Sequence, residues 1–118
     1  AVLNPLMHQG QIEGGVVMGI GYGLMEQLLI DGGKVSTTSF GENKIPSIQD
    51  IPILKTTVRE FPVGNGPYGG MSIGEPPVVP VAAAIANAVD DAVGVRIYEL
   101  PITAEKVFNA LKAKQAKS

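Results

Sequence analysis

The first part of the chain combines a helix-start signal with more glycines than a helix normally tolerates. Asn4 followed by Pro5 fits an N-cap residue and a first helical position, and the pattern predicts a helix to about Leu28. Its interior contains glycines at positions 14, 15, 19, 21 and 23. Each costs about 1 kcal/mol relative to alanine in an exposed helix, so another element must pack closely against this helix to compensate.

The remaining local signals predict three pieces of sheet, namely a two-stranded hairpin and two single strands. Residues 28–30 and 34–38 flank the turn sequence Asp31-Gly32-Gly33, which is typical of a tight hairpin. Alternation and the β-branched residues predict a further strand over residues 53–61, and residues 96–100 form the third candidate. Between them, residues 62–74 hold five glycines and two prolines, which indicates a long irregular loop of the kind that lines a site.

Two more helices follow this loop. The pre-proline rule places the start of the second helix near Pro80; it continues through Asp91 and ends at Gly94 as a left-handed stop. Its alanines predict that neighbouring elements cover it on several sides. Thr103 is the expected N-cap of the last helix. The order of elements predicts an α+β fold, with two long helices and a short C-terminal helix packed on a small mixed or antiparallel sheet, and residues 1–118 forming a single domain.

Charge and composition exclude several classes of function. A net charge of −2 and a pI near 5.3 disfavour nucleic acid as a partner, since that binding relies on clustered Lys and Arg. No apolar segment reaches the roughly 20 residues that a membrane span needs. One histidine and no cysteine leave no recognisable set of metal ligands, and the lack of cysteine favours the cytoplasm. His8 is expected to be structural.

The sequence Gly74-Glu75-Pro76-Pro77 isolates one carboxylate at the end of the irregular loop. Pro76 disfavours helical backbone at Glu75, so the acid is presented outside the following helix. The two prolines also lack the N–H groups that could bind its oxygens locally, and Gly74 allows another group to approach closely. A catalytic base and a simple negative charge near a helix N-terminus are both compatible with this pattern.

Several ordered blocks resemble one known family. They are Asn4-Pro5, Gly10-Gln11-Ile12-Glu13-Gly14-Gly15, Gly19-Ile20-Gly21-Tyr22, Asn43-Lys44-Ile45-Pro46, Asp50-Ile51-Pro52, Gly74-Glu75-Pro76-Pro77, Gly94-Val95-Arg96 and Leu100-Pro101-Ile102-Thr103. In this order they are similar to the C-terminal segment of the molybdopterin-binding subunit in the molybdenum hydroxylases, the xanthine dehydrogenase, aldehyde oxidase and carbon monoxide dehydrogenase family. The resemblance covers nearly the whole chain.

The resemblance implies the roles of three residues. Gln11 would contact the molybdopterin cofactor, either as such or in a dinucleotide form, and Gly74 would lie against it. Glu75 would be the general base in the oxidative hydroxylation of an aldehyde, a purine or another N-heterocycle, with water as the oxygen source. No protein metal ligand is implied, because the pterin holds the molybdenum. Implied partners are the remainder of the subunit, iron–sulfur and flavin (FAD) domains or subunits, and a small-molecule substrate.

One departure and three alternatives accompany this resemblance. Family members commonly carry a lysine four residues before the glutamate, where this chain has Met71. Because the pterin-binding loops lie upstream in the family, residues 1–118 are expected to be inactive alone. A non-catalytic assembly module that retains the fold is the alternative function, and Gln11 could equally be an ordinary surface glutamine. A carboxylate pair of Glu75 with Glu13 or Glu60 is a weaker third hypothesis.

Overall fold

A computed structural model describes residues 1–61, 63 and 65–116, so Pro62 and Gly64 of the predicted loop lie outside the described residues. The first helix, α1, spans Pro5–Leu24, and a two-stranded antiparallel hairpin follows with β1 at Ile30–Asp31 and β2 at Lys34–Val35. Helix α2 spans Val81–Val93 and helix α3 spans Ala104–Gln115. Three helices and this small antiparallel sheet confirm the α+β class.

The helix boundaries follow from local capping. Asn4 Oδ1 accepts the Met7 N–H at 3.1 Å, and Thr103 Oγ1 accepts the Lys106 N–H at 3.3 Å, which confirms both predicted N-caps. Gly94 stops α2 in the left-handed conformation with φ 65°, also as predicted. Helix α1 ends at Leu24 and not near Leu28, because the Gly21 carbonyl accepts both the Met25 and Glu26 N–H groups and closes the last turn.

The two strands predicted outside the hairpin are wrong. Residues 53–61 and 96–100 are all described, and neither segment pairs with another strand. A strand exists only where its backbone groups bond to a neighbour, and β-branched composition cannot supply that neighbour. The observed hairpin is also shorter than predicted, with Ile30 opposite Val35 and Asp31 opposite Lys34.

The core lies at the C-terminal end of α1. Its buried apolar side chains are Val81, Val95 and Ile102, and the Ile102 N–H donates to the Gly23 carbonyl at 2.7 Å. This bond satisfies a carbonyl that the helix end would otherwise leave without a partner. Helix α2 touches α1 along one face only, and its alanines at 83, 84, 88 and 92 are exposed. The expectation that neighbours cover α2 on several sides is therefore wrong within the described residues.

Candidate functional site

Helix α1 and the chain leading into α2 pack side by side in the same direction. A Cβ atom added at Gly15 would lie 2.6 Å from Pro77 Cβ, and one at Gly23 would lie 2.9 Å from Ile85 Cδ1. Between them, a Cβ at Gly19 would lie 2.6 Å from Val81 Cγ1. The close neighbours that the glycine-rich sequence requires are thus present at these three positions, four residues apart on both segments. At Gly14 a Cβ would meet no described residue beyond its own helix within 4 Å, so that glycine has no such explanation here.

This register brings Gln11 to the segment that precedes Glu75. Gln11 lies one helical turn before Gly15 on the same face of α1. Its side chain lines a cleft of about 210 Å³ together with Met71 and Ile73. The amide of Gln11 is exposed and makes no hydrogen bond to any described residue, which leaves two donors and an acceptor available.

Glu75 opens a series of turns that ends at α2. Its carbonyl accepts the Val78 N–H at 3.1 Å, and the Val78 carbonyl accepts the Val81 N–H at 3.3 Å. The acid therefore lies outside the helix, as predicted, although in a bend and not in a plain extended segment. Its side chain is exposed, and its carboxylate accepts no hydrogen bond from the described residues. At Gly74 an added Cβ would meet no atom of the described residues within 4 Å.

Glu75 lines neither the cleft that Gln11 lines nor the neighbouring one, as far as the described residues show. A second cleft of about 350 Å³ adjoins the first, since His8, Met71 and Ile73 line both, and Pro76 brings the Glu75 turn to its edge. His8 is half-buried and lines both clefts, and its expected structural role stays a prediction. His8 lies one helical turn before Gln11, so the predicted helix already placed the two side chains on the same face.

The proposed carboxylate pair finds no support in the contacts. Glu13 Oε1 accepts Gln9 Nε2 at 2.6 Å and Thr56 Oγ1 at 3.3 Å, and Glu60 Oε1 accepts the Val2 N–H at 3.1 Å. Both carboxylates are thus bound by their own neighbours. Over residues 1–61, 63 and 65–116, no three His, Cys, Asp or Glu side chains gather as a metal site.

Two acids elsewhere have perturbed titration. The backbone N–H of Thr38 donates to Glu42 Oε2 at 2.8 Å, and this bond, with others from Thr38 and Ser39, holds the pKa of Glu42 below its ordinary value. The hydroxyl of Ser47, followed by its N–H, lowers the pKa of Asp50 in the same way. Both acids stabilise exposed turns away from the two clefts.

Comparison with known proteins identifies the family. A model of the molybdopterin cofactor-binding domain matches residues 1–52, which include Gln11. A putative xanthine dehydrogenase molybdenum-binding subunit of Escherichia coli K12 is 43% identical over 109 residues, 91% of this chain and 14% of the relative. The nicotine 6-hydroxylase large subunit of Paenarthrobacter nicotinovorans is 43% identical over 115 residues, again with 14% of the relative covered. This chain belongs to the molybdopterin-binding subunits of the molybdenum hydroxylase family.

A solved structure agrees with this family at the level of the fold. The Cu,Mo-containing CO dehydrogenase matches 94% of this chain with a TM-score of 0.82 and 24% identity, over 14% of its own length. The chain spans about one seventh of the molybdenum hydroxylase subunits it matches. No helix within the described ranges is both long and apolar enough to cross a membrane.

The available polar groups fit the cofactor of this family. A pterin presents hydrogen-bond donors and acceptors, and the unengaged amide of Gln11 can satisfy both kinds. The cofactor brings its own metal ligands, so the described residues need no metal-binding cluster of their own. The fit therefore rests on free polar side chains at the edge of open clefts.

Proposed function

We propose that this chain supplies Gln11 and Glu75 to the active site of a molybdenum hydroxylase. In this proposal Gln11 contacts the pterin and Glu75 is the general base. Gly74 has no side chain and so leaves room for the cofactor to approach. The observation that carries it is that the two side chains have no hydrogen-bond partner among the described residues, although the packing of α1 on α2 holds their backbones in a fixed register. Free polar groups on a rigid support are what an active site requires.

The large accessible surface of the chain supports the proposal that this segment depends on the rest of the subunit. The radius of gyration is 18.1 Å, whereas a compact domain of this length has about 13.5 Å. The accessible surface is 8948 Å², against about 6,100 Å² for a compact protein of this mass. The excess is several times the roughly 800 Å² that each partner buries in a standard interface. Large apolar side chains such as Ile53 and Phe40 are 92% and 76% exposed, which fits a segment that the remaining subunit covers.

The chemistry divides between the cofactor and the chain. A bound molybdenum–pterin cofactor would take up the hydrogen and both bonding electrons of the substrate C–H bond as that bond breaks. Glu75, when ionised, accepts the proton of the water-derived oxygen as that oxygen bonds to the substrate carbon. Gln11 orients the pterin by donating and accepting hydrogen bonds through one amide. The exposed carboxylate of Glu75 accepts no hydrogen bond from the described residues that would have to break before it acts.

The proposed substrate class is inferred from the relatives of this chain. Relatives include the nicotine 6-hydroxylase subunit, the xanthine dehydrogenase subunit and an aldehyde oxidoreductase of Megalodesulfovibrio gigas that is 41% identical over 114 residues. An aldehyde, a purine or another N-heterocycle is therefore the proposed substrate. Iron–sulfur and flavin domains or subunits are the proposed electron-transfer partners. Cytoplasmic location remains a prediction.

Substitution of Glu75 in the complete holoenzyme tests the general-base role. Glu75→Gln keeps the size of the side chain but removes its ability to accept a proton, and loss of a general base lowers kcat by about 10²- to 10⁴-fold. Glu105→Gln, an exposed acid in the first turn of α3, is the matched control and should retain the wild-type rate. Molybdenum content per subunit is measured for each variant. A Glu75→Gln enzyme with full molybdenum and a wild-type rate would refute the assignment and favour the assembly-module alternative.

A further inference from the structure

The turn that presents Glu75 is held by very few backbone hydrogen bonds. Three of the five residues from 76 to 80 are prolines, which have no N–H to donate. The remaining donors are Val78, whose N–H bonds the Glu75 carbonyl at 3.1 Å, and Val79, whose N–H bonds the Pro76 carbonyl at 3.4 Å. The second distance is at the weak end for an N–H···O bond. Its own backbone therefore fixes this turn only weakly.

A side chain from α1 supplies an additional bond at the centre of the turn. The Tyr22 hydroxyl donates to the Val78 carbonyl at 3.0 Å across a partly buried contact. The same carbonyl accepts the Val81 N–H from the first residue of α2 at 3.3 Å. Val78 is thus the residue at which the Glu75 turn, α2 and α1 are joined.

Helix α1 is a rigid support for this bond. Gly21 and Gly23, on either side of Tyr22, are buried. Helical side chains lean towards the N-terminus, so Tyr22 reaches back along α1 towards the end that carries Gln11. There Pro77 packs on Gly15, where an added Cβ would lie 2.6 Å from the proline ring. Two adjacent residues, Pro77 and Val78, are therefore held to α1 by different contacts.

We infer that Tyr22 is a positioning residue for Glu75. It holds the Val78 carbonyl, and Val78 in turn bonds the backbone of Glu75, so the hydroxyl sets where the carboxylate is presented. This inference rests on the proposed function of Glu75 as the base. A general base must lie within hydrogen-bond reach of its proton, and a displacement of about 1 Å can cost about 100-fold in rate.

Tyr22→Phe removes the hydroxyl and leaves the ring in place. The complete holoenzyme carrying this variant is compared with wild type and with Tyr98→Phe, whose side chain is 88% exposed and has no hydrogen-bond partner among the described residues. We expect backbone hydrogen exchange over residues 74–81 to accelerate about five- to tenfold, since one net hydrogen bond is lost. We expect kcat to fall at least about tenfold with KM and molybdenum content unchanged, because only transition-state geometry is altered.

The outcomes separate this inference from the proposed function. Wild-type exchange over residues 74–81 together with wild-type kcat in Tyr22→Phe would overturn it. So would faster exchange along the whole of α1 and α2 with kcat retained, because that pattern indicates a purely structural contact. If Glu75→Gln itself has the wild-type rate, the general base is wrong and the positioning role falls with it, whereas an inactive Glu75→Gln beside a fully active Tyr22→Phe refutes the positioning role alone.

Discussion

The contact between Gly19 and Val81 provides a quantitative test of how α1 supports the site. Gly19→Ala would place a methyl group 2.6 Å from Val81 Cγ1 and 2.7 Å from Cγ2, about 1 Å inside ordinary van der Waals contact. The nearest atom is Val81 Cβ, which cannot rotate away. We therefore expect an overpacking cost of about 2–3 kcal/mol, offset by about 1 kcal/mol of improved helix propensity.

The measurement is hydrogen exchange over α1 and α2 in the full-length subunit. A net loss of about 1–2 kcal/mol corresponds to exchange about 5- to 30-fold faster. Gly14→Ala is the matched control, because its methyl group would meet no described residue beyond its own helix and should leave exchange unchanged or slower. In the double variant, Val81→Ala removes two of the three close atoms and should recover part of the loss.

Two results would show that the register is wrong. One is a Gly19→Ala subunit whose α1 and α2 exchange at the wild-type rate. The other is strict additivity of Gly19→Ala and Val81→Ala, because residues in direct contact should be coupled by about 0.5–3 kcal/mol. Coupling at this pair with none between Gly14→Ala and Val81→Ala would support the packing that holds Gln11 near the Glu75 turn.

Two further predictions concern the cofactor and pH. Gln11→Ala in the holoenzyme should weaken the affinity for the cofactor about tenfold, because one hydrogen bond is lost, and should lower the molybdenum retained after gel filtration. A molybdenum content equal to that of Gln9→Ala would contradict this. Because its pKa is lowered in the folded state, Glu42 should stabilise the Thr38–Ser39 turn above its ordinary value of 4.5 and lose this effect as pH falls through the lowered pKa. Glu42→Gln should therefore speed amide exchange at residues 38–39 relative to wild type at about pH 6. The difference between the two proteins should narrow as the pH falls towards about 3, and a difference that does not change with pH would contradict the hydrogen-bond cause.

The predictions that succeeded depend on chemistry within a few residues. Asn4 and Thr103 cap their helices because their side-chain oxygens reach N–H groups three residues later, and Gly94 stops α2 because it tolerates a positive φ. The exclusion of Glu75 from the helix follows equally locally from Pro76. The strand over residues 53–61 failed because strand formation requires a partner that the described chain does not provide.

The candidate site shows the same difference between local effects and tertiary packing. The sequence was sufficient to single out Gln11 and Glu75 through motifs, and to require a close neighbour for the glycines of α1. It could not show that Pro77, Val81 and Ile85 are that neighbour, or that Tyr22 bonds the Val78 carbonyl, because residues 56 or more apart meet only through packing. Caps and turns are local hydrogen-bond choices, whereas the relative placement of two helices depends on the surfaces they bury together.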